Sequence, residues 1–112
     1  MAALIAGTAC RAQNGDGIAF EDSTVTFADA CAKAKAEGKM IFIDCYTSWC
    51  GPCKRMAREI FPQKVVGDFF NKTFVCLKKD MEKGEGVELQ KKYSVRAFPT
   101  MLFLDASGSE VN

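Results

Sequence analysis

Apolar and polar positions follow two periods along this chain. Met40-Ile41-Phe42-Ile43-Asp44-Cys45-Tyr46 is a nearly unbroken apolar run, and it reads as a strand buried on both faces of a sheet. Phe74-Val75-Cys76-Leu77-Lys78-Lys79-Asp80 and Thr100-Met101-Leu102-Phe103-Leu104-Asp105 are further strands, and Ile18-Ala19-Phe20 forms a short one ahead of them. Between the strands the apolar residues recur at helical spacing. Phe27, Ala30, Cys31 and Ala34 share a face over 26–37, with Asp22, Ser23 or Thr24 as a cap before the helix and Gly38 in the position where helices end. Met56, Ile60 and Phe61 mark a helix over 54–61, which Pro62 interrupts. Pro62 suits the first turn of a second segment, where Val65, Val66, Phe69 and Phe70 recur up to Asn71. A short helix over 87–93 puts Leu89 and Tyr93 one turn apart. Asn14-Gly15-Asp16-Gly17, Lys83-Gly84-Glu85-Gly86 and Ala106-Ser107-Gly108-Ser109 read as turns and loops, and Glu110-Val111-Asn112 begins a fifth strand. The predicted order is β-α-β-α-β-α-β-β, an α/β fold.

Composition narrows the function classes. The 112 residues make one domain, with 48% hydrophobic and 26% charged residues, ordinary for a globular protein. A net charge of +1 gives no electrostatic footprint for nucleic acid. Histidine is absent, so it serves neither as metal ligand, general base nor pH switch. The six cysteines are too irregularly spaced for a three-bridge scaffold. Residues 1–14 separate from a domain over 15–112. Met1 to Ala12 is small and apolar and reads as the remnant of a signal peptide, with cleavage near Ala12; Gly7 disfavours a lipoprotein site at Cys10. That stretch is too short to span a bilayer, so no stable membrane span is expected. The reading leans to export, with a periplasmic or extracytoplasmic home; an inert Ala-rich leader and a cytoplasmic home are the alternative.

The chemistry concentrates in Thr47-Ser48-Trp49-Cys50-Gly51-Pro52-Cys53-Lys54, between the strand over 40–46 and the helix that follows. This order puts Cys50 at a helix start, where unpaired N–H groups and the macrodipole favour negative charge. A thiol there ionises more readily, and the thiolate is the form that attacks disulfides. Cys53, nearly one turn on, is within reach to close a disulfide with Cys50. A bare C-x-x-C also serves zinc sites, but zinc needs two more ligands, and the sequence holds neither a second C-x-x-C nor a histidine. No metal and no cofactor are expected.

Trp49-Cys50-Gly51-Pro52-Cys53-Lys54 resembles the active-site signature of the thioredoxins and their relatives, including secreted thioredoxin-like reductases and disulfide isomerases. A second match, Tyr93-Ser94-Val95-Arg96-Ala97-Phe98-Pro99-Thr100, resembles the segment that leads into that family's cis-proline. Together the matches span most of 40–108. The resemblance implies a thioredoxin fold, a central mixed β-sheet flanked by helices, here expected to be truncated before the family's final strand and helix. Loss of that cover would leave an exposed apolar patch or a free strand edge.

The resemblance also implies a mechanism. Cys50 attacks a substrate disulfide and Cys53 resolves the mixed disulfide. Asp44, six residues before Cys50 in a buried strand, matches the aspartate that assists proton transfer to the resolving cysteine, and burial should raise its pKa. An Asp44 that is simply hydrogen-bonded and inert is the alternative. The family often pairs this aspartate with a lysine on the third strand, a position where the alignment puts Cys76. Gly51 and Pro52 resemble the dipeptide of reductants and keep the turn short. Trp49, Phe98 and Pro99 complete the expected substrate-binding set. The implied partners are disulfide-containing protein substrates and a thiol electron donor, either a reductase or a membrane thiol transporter. The alternatives are a disulfide isomerase and a non-catalytic peptide-binding module. Cys31, Cys45 and Cys76 read as small core hydrophobes. Lys78, Lys79, Lys83, Lys91 and Lys92 read as a solvated surface.

Overall fold

In a computed structural model, residues 16–111 are described; the expected leader over 1–14 lies outside them. The elements run α1 (Phe27–Glu37), β1 (Met40–Tyr46), α2 (Gly51–Glu59), α3 (Lys64–Thr73), β2 (Phe74–Asp80), α4 (Glu85–Lys92) and β3 (Thr100–Leu104). The sheet order is β2-β1-β3, with β1 parallel to β2 and antiparallel to β3, so the most apolar strand lies in the middle of a mixed sheet. Helix α1 starts where a capping box allows: the Thr26 hydroxyl accepts the Asp29 N–H and the Asp29 carboxylate accepts the Thr26 N–H. It stops at Gly38, whose φ of 68° lies in the left-handed region.

Strand alternation divides the core into two layers. On one face Ile41, Ile43 and Cys45 join Val75, Leu77, Leu102 and Leu104 under α1 and α4. On the other, Phe42 stands in an aromatic cluster with Phe20, Phe61, Phe70, Phe74 and Phe103, all with ring centroids 4.9 to 6.2 Å from its own. This second layer seats α2 and α3. Cys45 and Cys76 are buried as expected, whereas Cys31 is only half-buried at the rim of α1.

Several expectations need correction. Ile18-Ala19-Phe20 is not a strand. Its backbone bonds go to different places: the Ile18 N–H to the Phe61 carbonyl, the Ala19 N–H to the Asn71 side chain, and the nearby Glu21 N–H to the Cys76 carbonyl, so no ladder forms. Pro62 sits in the turn before α3, which starts at Lys64 after the N-cap Gln63. Helix α2 ends at Glu59, two residues early, with Ile60 as its C-cap. Helix α4 starts at Glu85 rather than Val87, drawing two residues of the expected loop into its first turn. The fifth strand is a single bridge, Leu104 to Glu110. Lys79 is not part of a solvated surface: its ammonium pairs with the Glu85 carboxylate at 2.9 Å and donates to the Val25 carbonyl at 2.9 Å. Because Glu85 also accepts the Phe27 N–H, this pair ties the starts of α1 and α4 to β2.

Candidate active site

The β1–α2 junction builds the site as the residue order requires. Cys50 is the N-cap of α2, in extended backbone conformation. Its Sγ accepts the Cys53 N–H at 3.1 Å, satisfying one of the helix's free donors. Gly51 and Pro52 fill the first two helical positions, where proline's missing N–H costs nothing. The Cys50 N–H donates to the Thr47 carbonyl at 3.3 Å, closing the turn that precedes the helix. Cys50 and Cys53 are joined as a disulfide with their Cα atoms 5.3 Å apart. Both are nearly covered, at 3% and 6% exposure, while Gly51 and Pro52 are exposed beside them.

Behind the disulfide lies a cavity of about 130 Å³ lined by Asp44, Thr47, Cys53, Ala57 and Lys78, among others. Asp44 is 3% exposed, and burial pushes its carboxyl up to about 6 against the opposing pull of the Lys78 ammonium. Lys78 lies directly across from Asp44 in the β1–β2 register. This corrects the sequence alignment: the residue opposite Asp44 is Lys78, whereas Cys76 lies opposite Phe42, deeper in the aromatic layer. Lys78 also approaches the faces of Phe20 and Tyr46, at 5.4 and 5.8 Å from their ring centroids. The neighbouring Cys45 thiol, on the opposite face of β1, is pushed up to about 12 by burial and by the Asp44 charge, which leaves it unreactive.

The remaining expected residues come together at the surface. Trp49 is 64% exposed, donates its indole N–H to the Glu82 carboxylate at 3.1 Å, and meets the edge of Phe98 at 6.0 Å between ring centroids. The Phe98–Pro99 peptide bond is cis, and both residues are half-buried. Sequence reasoning misses Lys78, Thr47 and Glu82. The first depends on the β1–β2 register, which puts Met40 opposite Phe74, and for the other two no sequence signal exists. Among the described residues no cluster of acids and cysteines suits a metal ion.

Comparison with known proteins agrees with this geometry. A thioredoxin-like family model matches residues 22–106. The solution structure of a candidate disulphide isomerase from Bacteroides thetaiotaomicron is 54% identical, with a TM-score of 0.75, and the match covers 86% of this chain and 78% of that one. Thioredoxin-1 of Drosophila melanogaster is 41% identical over 69 residues, 62% of this chain and 60% of that protein. The thiol:disulfide interchange protein DsbD of Pseudoalteromonas atlantica is 32% identical over 88 residues, 77% of this chain. The chain spans 15% of the length of that DsbD, and so less than two thirds of either curated relative. With a helix-capping C-x-x-C disulfide, a cis X-Pro and a family match over most of its length, the chain belongs to the thioredoxin-like family.

Proposed function

We propose that this protein is a thiol–disulfide oxidoreductase that reduces disulfides in other proteins, working outside the cytoplasm. The observation that carries the reading is the placement of Cys50 at the mouth of α2 with Cys53 on the wall of the cavity that holds Asp44. In the dithiol form the helix terminus favours the Cys50 thiolate. That thiolate attacks one sulfur of a substrate disulfide; a mixed disulfide forms and the other substrate sulfur leaves as a thiolate. Asp44 takes the Cys53 proton. The Cys53 thiolate then attacks Cys50, the Cys50–Cys53 bond forms, and the second substrate thiolate departs. Two electrons pass to the substrate, so a thiol donor must return two electrons before the next turnover.

The neutral Gly51-Pro52 dipeptide supports reduction as the direction, since it adds less to thiolate stability than an imidazolium would. Trp49, Phe98 and Pro99 form the surface against which a substrate peptide would lie. Export is supported by the small apolar character of the first twelve residues, and no described helix is long and apolar enough to cross a membrane.

Reduction of insulin in the presence of dithiothreitol, followed by turbidity, tests the activity, and Cys50→Ser should abolish it. Equilibration of Cys50–Cys53 with glutathione tests the direction. A potential well below about −220 mV supports a reductase, and one near about −120 mV overturns that direction. The likeness to a candidate disulphide isomerase favours isomerisation as the second reading. Isomerisation needs only the attacking thiol, so a Cys53→Ser variant that still unscrambles a mispaired protein would favour it.

A further inference from the structure

Thr47 is 1% exposed, and its hydroxyl oxygen is buried without a hydrogen-bond partner among the described residues. A buried hydroxyl left in that state is costly, and such groups are rare in folded proteins. Thr47 closes the turn to Cys50 through its carbonyl, a role that any residue would fill. Its side chain has no such explanation. Thr47 is among the residues that line the cavity with Asp44, Lys78 and Cys53, and Cys53 is the member of the disulfide that lines this space. When the disulfide is reduced, the two sulfurs must separate from bonding distance to van der Waals contact. Cys50 Sγ is held at the helix mouth by the Cys53 N–H, so the room for separation lies on the cavity side of Cys53. The sulfur that moves there becomes a new acceptor, anionic just before it attacks.

We infer that the Thr47 hydroxyl is the donor that receives the Cys53 sulfur when the disulfide opens, directly or across one water. This deepens the oxidoreductase reading and rests on it. The hydroxyl is without a partner in the disulfide form because its partner exists only in the dithiol form. It acts in the second half of the reaction. Asp44 takes the Cys53 proton, the hydroxyl stabilises the thiolate left behind, and that thiolate forms the bond to Cys50 while the substrate sulfur leaves with the electron pair of the broken bond. No other oxidant or reductant enters the step. A hydrogen bond to a charged sulfur is stronger than one to a neutral group, so its loss should be visible in the rate.

The test uses 5,5′-dithiobis(2-nitrobenzoate), one equivalent on the reduced protein, with Cys10 and Cys31 replaced by serine in every variant. The first coloured thiolate released reports attack by Cys50, and the second reports attack by Cys53. Thr47→Val should leave the first release within twofold of the parent protein and slow the second about tenfold. It should also move the pH midpoint of the second release upward, which a packing defect alone would not do. Thr47→Ser should restore both. Thr47→Ala serves as the second hydroxyl-free variant should valine disturb the fold. The inference is overturned if the second release is unchanged, if both releases slow equally, or if serine behaves as valine does. Failure of the parent protein to give any first release would overturn the oxidoreductase reading itself, and this inference with it.

Discussion

Asp44 and Lys78 face each other across the parallel β1–β2 pair, the first buried behind the disulfide and the second at the cavity mouth. Burial raises the Asp44 carboxyl from 3.8 to about 6, so the folded chain keeps a proton that the unfolded chain gives up between those values. Stability therefore falls as pH rises through about 4 to 6 and stays lower above that window. In the oxidised protein, Asp44→Asn should remove this loss. Urea unfolding should show the variant more stable than the parent by roughly 3 kcal/mol at pH 8, with little difference at pH 4. A parallel pH dependence in both proteins would refute the assignment.

Lys78 opposes the burial of Asp44, so Lys78→Met should act in the other direction. The Asp44 carboxyl should titrate at still higher pH, read from its carbon resonance by NMR. The pH at which stability declines should rise with it. Combining Lys78→Met with Asp44→Asn should abolish that dependence, because the two act through one charge pair.

Phe42 is the ring that the second core layer packs around, with five aromatic neighbours and no exposed surface. Phe42→Ala should cost about 3 to 5 kcal/mol, and calorimetry or urea unfolding would measure it. Phe42→Leu should cost less, since it keeps most of the volume.

Gly86 lies in the first turn of α4, where a β-carbon would collide with the Asp80 carbonyl oxygen. Gly86→Ala should therefore destabilise the protein by on the order of 2 kcal/mol, against the usual gain of alanine over glycine in a helix. The redox equilibrium of Cys50–Cys53 should not move.

Trp49 is mostly exposed and is held by one hydrogen bond and one ring contact. Trp49→Ala should change stability by less than about 1 kcal/mol. It should slow reduction of a protein disulfide several-fold while leaving attack on a small aromatic disulfide near its original rate. Equal loss with both substrates would show that Trp49 acts on the sulfurs rather than on the substrate chain.

Much of this site is legible in the chain because its geometry is local. Tyr46 to Cys53 carries strand end, turn, helix cap and both disulfide cysteines within eight residues, and Asp44 precedes them on β1. The periodic elements are legible for the same reason, as Phe27, Ala30 and Ala34 on α1 illustrate. What escapes is set by pairing between distant segments. Choosing between Cys76 and Lys78 as the partner of Asp44 depends on the β1–β2 register, which neither strand encodes alone. Ile18 to Phe20 looks like a strand by composition, yet its bonds go to the turn after α2 and to a side chain. Lys79 looks solvated until α4 brings Glu85 to it. The isolation of the Thr47 hydroxyl is a property of the packed cavity and leaves no trace in composition.

The two-residue spacing from Cys76 to Lys78 also bears on which insertions and deletions this fold tolerates. Side chains on β2 change sides at every step, so Val75 and Leu77 serve the aliphatic layer while Phe74, Cys76 and then Lys78 face the other side. Deleting a single residue within it would turn an aliphatic group such as Leu77 toward the carboxylate and thrust the ammonium into a dry aliphatic layer. Lengthening the turn that follows β2 would do neither, whereas at its other end α3 runs straight into the strand. Natural variation in length should therefore collect in that turn, while the strand itself stays uninterrupted.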